Sequence, residues 1–405
     1  MEQAKQLNNS IEKTVITKER LILLEIVMFL TYAFFSASWL AGSTLTKMVV
    51  KEFGLNGVPA SINNAISIAK IIGNFLAAWF LMKLGPKKAS VIASILISCV
   101  FLGAFTHTFP MFIATRFLMG FGGALFVVYM ASYVMYFAPA DKRVVFNGIN
   151  GVAANVGNGI ALLTLTPVMN MMGTWRNTVM FYGGCSIVLF ILWMLVSKDF
   201  TIASKNDTVA EKKYSYFDAL KDPFLYAYVF TYIGLFMVFV VMVYLFPLNP
   251  SFTISSKTVT LLLVLGSVLA TIVGTNLAKR LPVEKEMWSI RISGILLTLD
   301  CVVLAMTKSA SVAMAASFLC GFFMFISVAT FATLPMKRKG ATAGSVSVIV
   351  SLYWCLSYIL QMIFYTGIVS VVNNIGWSTA IWIIAAGSIT WFLGSFLLQP
   401  FFKKD

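Results

Sequence analysis

The 405-residue chain is 59% hydrophobic and only 11% charged, with a mean hydropathy of +0.88, whereas a soluble domain carries roughly 25% charged residues. This excludes an ordinary soluble globular protein and predicts a polytopic membrane protein. The net charge of +15 does not point to nucleic acid, because the basic residues sit in turns between apolar runs, where they set membrane orientation.

Residues 1–20 are polar and lack the apolar core and small-residue cleavage site of a signal peptide. They predict a cytoplasmic tail leading into a first span at 21–45, on which Glu25, Tyr32, Ser36, Trp39 and Ser43 fall near one face. The second span, 62–82, is long enough to cross a bilayer as one helix of ~20 residues. It has one full charge, Lys70, about halfway along. Asn63, Ser67, Lys70 and Asn74 recur at helical spacing and share one face. A charge at that depth costs at least ~2.5–3.5 kcal/mol unless protein, water or a solute partners it, so the other spans are expected to enclose that face.

Spans three to six are predicted at 89–106, 110–137, 144–170 and 175–197. The fourth carries Arg116 and a glycine cluster. The fifth puts Asn147, Gly151, Ala154 and Asn158 on one face. Small residues at helical spacing permit close helix approach, so packing is the main reading there, with Asn158 kept as a cavity residue. A polar stretch at 198–222 is read as a cytoplasmic central loop, separating an N-terminal bundle (21–197) from a C-terminal one (223–398). Six further spans are predicted at 223–247, 257–279, 286–306, 310–335, 341–369 and 376–398, before a cytoplasmic tail at 399–405. With both termini cytoplasmic, 22 of the 30 Lys and Arg residues fall in cytoplasmic segments and five in external turns, the asymmetry that orients a membrane protein.

The halves echo one another. RFLMGF at 116–121 returns as SFLCGF at 317–322, LGPKK at 84–88 as RLPVEK at 280–285, and GTWR at 173–176 as GW at 376–377. Ordered echoes at a near-constant offset indicate an internal duplication, and such repeats place a solute site near the membrane midplane between halves.

These features resemble the major facilitator superfamily. Arg116, Gly120 and Gly122 are similar to that family's Arg-x-x-x-Gly-x-Gly pattern in its fourth helix. The turn after the second span resembles its Gly-x-x-x-Asp-Arg-x-Gly-Arg-Lys motif: Lys83 and Gly85 match, Lys87 and Lys88 keep the basic character, and Ala78 and Met82 replace the Gly and the Asp. The Gly-Pro pair of antiporter members is absent from the fifth span. The resemblance implies an all-α fold of twelve transmembrane helices in two pseudo-symmetric six-helix bundles, and transport by alternating access; it does not name a substrate.

For Lys70 two roles are open: an anchor for an anionic solute group, or a structural charge paired with an acid. The acids within spans are Glu25, near the inner end of the first, and Asp300, in the outer part of the ninth; either could couple a proton. Arg116 is read as a structural residue or a second solute contact. The C-terminal half has no cation equivalent to Lys70 but offers Ser347, Ser351, Trp354, Tyr358, Gln361 and Tyr365 at alternating spacings of four and three, suited either to the uncharged part of a solute or to helix packing. Tyr32, Trp39, Asn63 and Asn74 complete the expected cavity, with Trp39 alternatively an interfacial anchor.

The single histidine excludes a histidine metal cluster, five dispersed cysteines read as small core residues, and there is no phosphate-binding loop for ATP. No enzyme activity, metal or cofactor is expected. The chain is expected to be a monomeric secondary transporter of a cytoplasmic (inner) membrane. It would move a small organic acid or amino acid, alone or with a proton or counter-anion. The alternative is a drug or metabolite exporter with a largely uncharged aromatic cavity.

Overall fold

The computed structural model describes residues 16–139, 142–200, 215–250, 252–338 and 343–402. The expected tails up to residue 15 and from 403, and most of the expected central loop (201–214), lie outside the described residues. Twelve long helices dominate: α1 Lys18–Thr44, α2 Ser61–Leu84, α3 Pro86–Phe105, α4 Phe109–Phe137, α5 Arg143–Met172, α6 Trp175–Val196, α7 Pro223–Leu248, α8 Ser256–Arg280, α9 Val283–Met306, α10 Ala310–Lys337, α11 Ala343–Asn374 and α12 Trp377–Phe402. Eleven are long and apolar enough to cross a membrane; the twelfth, α2, has 24 residues and carries Lys70 near its middle.

The helix starts follow ordinary capping chemistry. Thr17 and Thr174 accept backbone N–H groups three residues on, and Asp222 accepts the N–H of Phe224. Pro86, Pro110 and Pro223 occupy first turns, where the missing N–H costs nothing. α3 tightens into 3₁₀ turns over Cys99–Phe105, and α7 loosens into a π turn over Val241–Leu245. α11 runs to Asn374 rather than stopping near 369, because the polar end of this helix reaches across to the start of α2, as described below.

Between lipid-embedded helices there is no hydrophobic drive, so packing depends on close backbone approach. Gly120 of α4 allows it against α2: a Cβ there would lie 2.9 Å from the Ile66 Cα. Gly321 of α10 does the same against α8, where a Cβ would lie 1.9 Å from the Leu263 carbonyl oxygen. These two glycines are the matching residues of the RFLMGF and SFLCGF echoes. A second pair repeats the relationship. Trp193 donates its Nε1 to Ser90 Oγ at 3.1 Å and packs on the Tyr133 ring; Trp391 donates to Ser293 Oγ at 3.0 Å and packs on Phe331. The duplication is therefore built into the packing of both six-helix bundles. By the Ile66–Leu263 correspondence, Lys70 of α2 matches the buried, uncharged Ser267 of α8.

Polar contacts fasten the helix ends. At the end carrying the termini, Asp199 Oδ1 accepts the Lys87 N–H at 3.3 Å at the start of α3, Arg338 pairs with Asp222 at 2.7 Å, and Lys337 pairs with Glu286. Asp199 thus supplies, from beyond α6, an acid near the turn where Met82 replaces the acid of the family pattern. At the opposite end Arg176 and Trp175 hold Glu52 of the short helix Thr46–Glu52. The five cysteines are free; three are buried and Cys99 and Cys185 are half-buried.

Candidate functional site

Helical periodicity turns Asn63, Ser67 and Lys70 of α2 inward, and all three are buried. Lys70 Nζ donates to the Tyr358 hydroxyl of α11 at 3.0 Å. The same ammonium lies 4.5 Å from the Trp39 ring centroid and 5.3 Å from those of Phe35 and Tyr358. A desolvated cation–π contact is worth ~2 kcal/mol or more, and burying an ion costs several kcal/mol, so no single ring offsets the burial. No carboxylate lies within ion-pair reach of Lys70 among the described residues. An ammonium has three N–H donors, and the Tyr358 bond uses one of them.

Above Lys70, toward the end opposite the termini, α2 and α11 are joined by a ladder of hydrogen bonds. Ser67 Oγ donates to Gln361 Oε1 at 2.8 Å and Asn64 Nδ2 to Thr366 Oγ1 at 2.8 Å. Asn373 closes the top, accepting the Val58 N–H and donating to the Val58 carbonyl, both at 3.2 Å. The other flank closes at the same level. Trp39 stacks on Tyr244 of α7 at 4.3 Å, and Asn158 accepts from Ser36 Oγ at 2.9 Å and meets the Tyr244 hydroxyl at 3.5 Å. Lys257 reaches Thr166 at 3.3 Å.

Below Lys70 the halves part. A cavity of about 400 Å³ is lined by Tyr32, Lys70, Asn74, Ser351, Trp354 and Tyr358, together with an apolar wall. Every lining residue apart from Lys70, Tyr358 and Tyr32 lies on the terminal side of Lys70 along its helix. The face of α5 shows the same gradient: Asn147 and Gly151 are exposed, Ala154 is half-buried and Asn158 is buried. This conformation is sealed at the end opposite the termini and open toward them.

Several expected site residues have other placements. Arg116 does not reach the cavity. Its guanidinium donates to the carbonyls of Ile62, Ser38 and Trp39 at 3.3, 3.3 and 3.1 Å and to Ser43 Oγ at 3.0 Å, tying α1, α2 and α4 together. It occupies the space a Gly42 side chain would need, with a Cβ there 2.2 Å from Nη1. Trp39 is no interfacial anchor: it is buried and donates Nε1 to Asn63 Oδ1 at 2.9 Å. Asn63 and Gln361 therefore belong to the seal rather than to the cavity, each with a buried amide N–H group lacking an acceptor. Glu25 is buried beside Asn150 of α5. Asp300 is buried beside Cys320 of α10, away from the cavity. The side chain of Ser347 lies outside the described residues. The sequence reading missed Phe35 and Tyr244. Tyr244 sits in the π turn of α7, where helical spacing fails, and its aromatic-rich run carries no periodic signal.

The profile of the Major Facilitator Superfamily matches residues 26–362. The chain is similar to an uncharacterised protein of Campylobacter jejuni, Cj0987c, at 28% identity over 224 residues, 55% of this chain and 69% of that protein. It is also similar to the probable nitrate transporter NarT of Staphylococcus aureus, at 33% identity over 105 residues, 26% of each chain. Among solved structures, the proton:xylose symporter XylE bound to 6-bromo-6-deoxy-D-glucose superposes with a TM-score of 0.67 at 14% identity, covering 96% of this chain and 97% of that one. The last likeness concerns the fold alone.

Proposed function

The chain belongs to the Major Facilitator Superfamily of membrane transporters, and we propose that it is a secondary transporter of a small solute carrying one anionic group, which Lys70 anchors. The observation that carries this reading is the buried Lys70 ammonium at the head of the cavity, with unused N–H donors and no acid partner among the described residues. The partial likeness to a probable nitrate transporter agrees with anionic cargo. Asn74, Tyr32 and Ser351 offer polar contacts beside the anchor, and Trp354 and Tyr358 offer aromatic faces.

The two six-helix halves, 21–197 and 223–398, rock about the midplane to expose the site to either side in turn. The excess of Lys and Arg on the terminal side supports a cytoplasmic position for both termini, and the membrane in this reading is a cytoplasmic (inner) one. Glu25, the span acid nearer the cavity mouth, is the residue proposed to carry a coupled proton, with exchange against another anion as the other energy source. A drug or metabolite exporter with a largely uncharged aromatic cavity is the second reading, favoured by the Trp354 and Tyr358 rings that line the cavity and by Tyr232 packed edge-on against Trp354.

A thermal-shift screen of purified protein against organic anions, sugars and nucleosides, run beside Lys70→Gln, tests the anchor. A ligand that binds only the native state at a hundredfold excess over its Kd stabilises by ~2.7 kcal/mol. Stabilisation by anions that disappears in Lys70→Gln supports the reading; stabilisation by neutral compounds that survives the substitution supports the exporter.

A further inference from the structure

The wall facing Lys70 restricts what the rest of the solute can be. Ala124, Val127, Val128 and Ala131 of α4 line the cavity together with Val350 of α11. The four α4 positions follow spacings of three, one and three, so they form one apolar stripe along the helix. The polar groups of the cavity are Lys70, Asn74, Tyr32, Ser351 and the tips of Trp354 and Tyr358. No lining residue among those described is acidic. A second charge on the solute would have no partner of opposite sign in this space, and a buried unpaired charge is strongly disfavoured.

We propose that the transported solute is an amphipathic monoanion: one carboxylate, or an isosteric oxyanion, held by Lys70, with a short apolar body lying against the α4 stripe and Val350. This rests on the anion-anchor reading of Lys70 and narrows it. Zwitterionic amino acids and dicarboxylates are excluded as preferred cargo, because the lining offers an ammonium only neutral acceptors and aromatic faces with no carboxylate, and Lys70 is its one positive charge. A bare inorganic anion would satisfy Lys70 but leave the apolar wall unused. The volume of about 400 Å³ falls within the range of small-molecule sites and leaves room for a chain of several carbons.

The test uses the full-length protein in nanodiscs, titrated with a homologous series (acetate, propionate, butyrate, valerate), with nitrate, and with two length-matched probes, 4-aminobutyrate and glutarate. Binding is read from quenching of tryptophan fluorescence, with Trp39 and Trp354 at the site. Each added methylene is expected to tighten binding about fourfold until the wall is covered, the gain for one buried CH₂. 4-Aminobutyrate and glutarate are expected to bind at least tenfold more weakly than butyrate and valerate. In Val127→Asp the order reverses, with 4-aminobutyrate binding more tightly than butyrate; the series on the unmodified protein stands by itself if this variant does not fold.

A flat series, a preference for nitrate over every carboxylate, or equal binding of the doubly charged probes overturns the amphipathic-monoanion proposal while leaving the anchor in place. No binding by any anion, or binding unchanged in Lys70→Gln, overturns the anchor itself.

Discussion

The Lys70 ammonium donates to the Tyr358 hydroxyl at 3.0 Å, and this one bond joins the two halves at the point where the sealed seam ends and the cavity begins. An anion binding Lys70 from the cavity meets the same ammonium that holds the lowest rung of the α2–α11 ladder. If Lys70 anchors the solute as proposed, occupancy of the site and integrity of the seal share a residue.

Tyr358→Phe removes that rung and keeps the ring against Phe236 and Trp354. A net hydrogen-bond contribution of ~1 kcal/mol corresponds to about a fivefold shift in the balance between sealed and open far ends. We expect maleimide labelling of an added Ser61→Cys, half-buried beside the seam, to speed up by about that factor over the same protein with Tyr358 intact. No change in labelling would show that the rung contributes nothing to closure.

Arg116 is expected to act through helix geometry rather than through solute. Three of its four hydrogen bonds hold the segment of α1 that carries Trp39, the ring nearest the Lys70 ammonium, and the fourth ties it to Ile62 of α2. Removing several charge-assisted bonds worth ~1.5–3 kcal/mol each should cost Arg116→Gln at least ~3 kcal/mol of stability. Arg116→Lys should recover little, since an ammonium cannot reproduce the planar fork. The expected kinetic signature is a fall in maximal transport rate with a small change in KM; a large rise in KM alone would place Arg116 in the binding site after all.

Glu52 offers a pH test outside the spans. Burial pushes its carboxyl upward, but the hydrogen bonds from Arg176 and Trp175 and the Arg176 charge outweigh this and hold it below the usual carboxylate value of 4.5. Because the folded value is the lower one, the stabilisation is complete above the ordinary carboxylate range and is lost as pH falls below it. The pair is 26% and 41% exposed, so solvent screening limits it to less than about 1 kcal/mol. Wild type should melt slightly above Glu52→Gln at pH 7, and the gap should close in strong acid and shrink in high salt. A gap that widens in acid would contradict the assignment.

Much of this arrangement was legible because the sequence isolates its polar residues. Lys70 is the one full charge in mid-span on α2, and the four-three-four spacing around it marked the inward face. Tyr32, Asn74, Trp354 and Tyr358 followed from the same periodicity and do line the cavity with Lys70. Other features carry no such mark. The acceptors of Arg116 are mostly backbone carbonyls, which every residue possesses, so composition could not separate a brace from a ligand. Tyr244 enters through a π turn, which breaks the register on which face assignments depend. Asp300 faces α10 because helix rotation, not depth, decides what a buried acid meets, and no spacing in the sequence pairs Asn64 with Thr366 or Val58 with Asn373 across α2 and α11.

The Asn64–Thr366 rung gives the most direct test of alternating access in this chain. Asn64 Nδ2 and Thr366 Oγ1 are 2.8 Å apart on opposite halves, and neither lines the cavity. Replacing both with cysteine should place two thiols close enough to be joined by an oxidant such as copper phenanthroline, with electrons passing from the thiols to the oxidant as the S–S bond forms. The cross-link fixes the far end shut while the cavity remains open toward the termini. Net transport should fall below about a tenth of the uncrosslinked rate, a ~1.4 kcal/mol or larger effect on the barrier, and return on reduction. Binding to the cross-linked protein should persist, because Lys70 and the α4 wall stay accessible. Transport that continues at full rate in the fully cross-linked protein would mean that the α2–α11 seam does not open during the cycle, and the solute would have to pass along the α5–α8 flank instead.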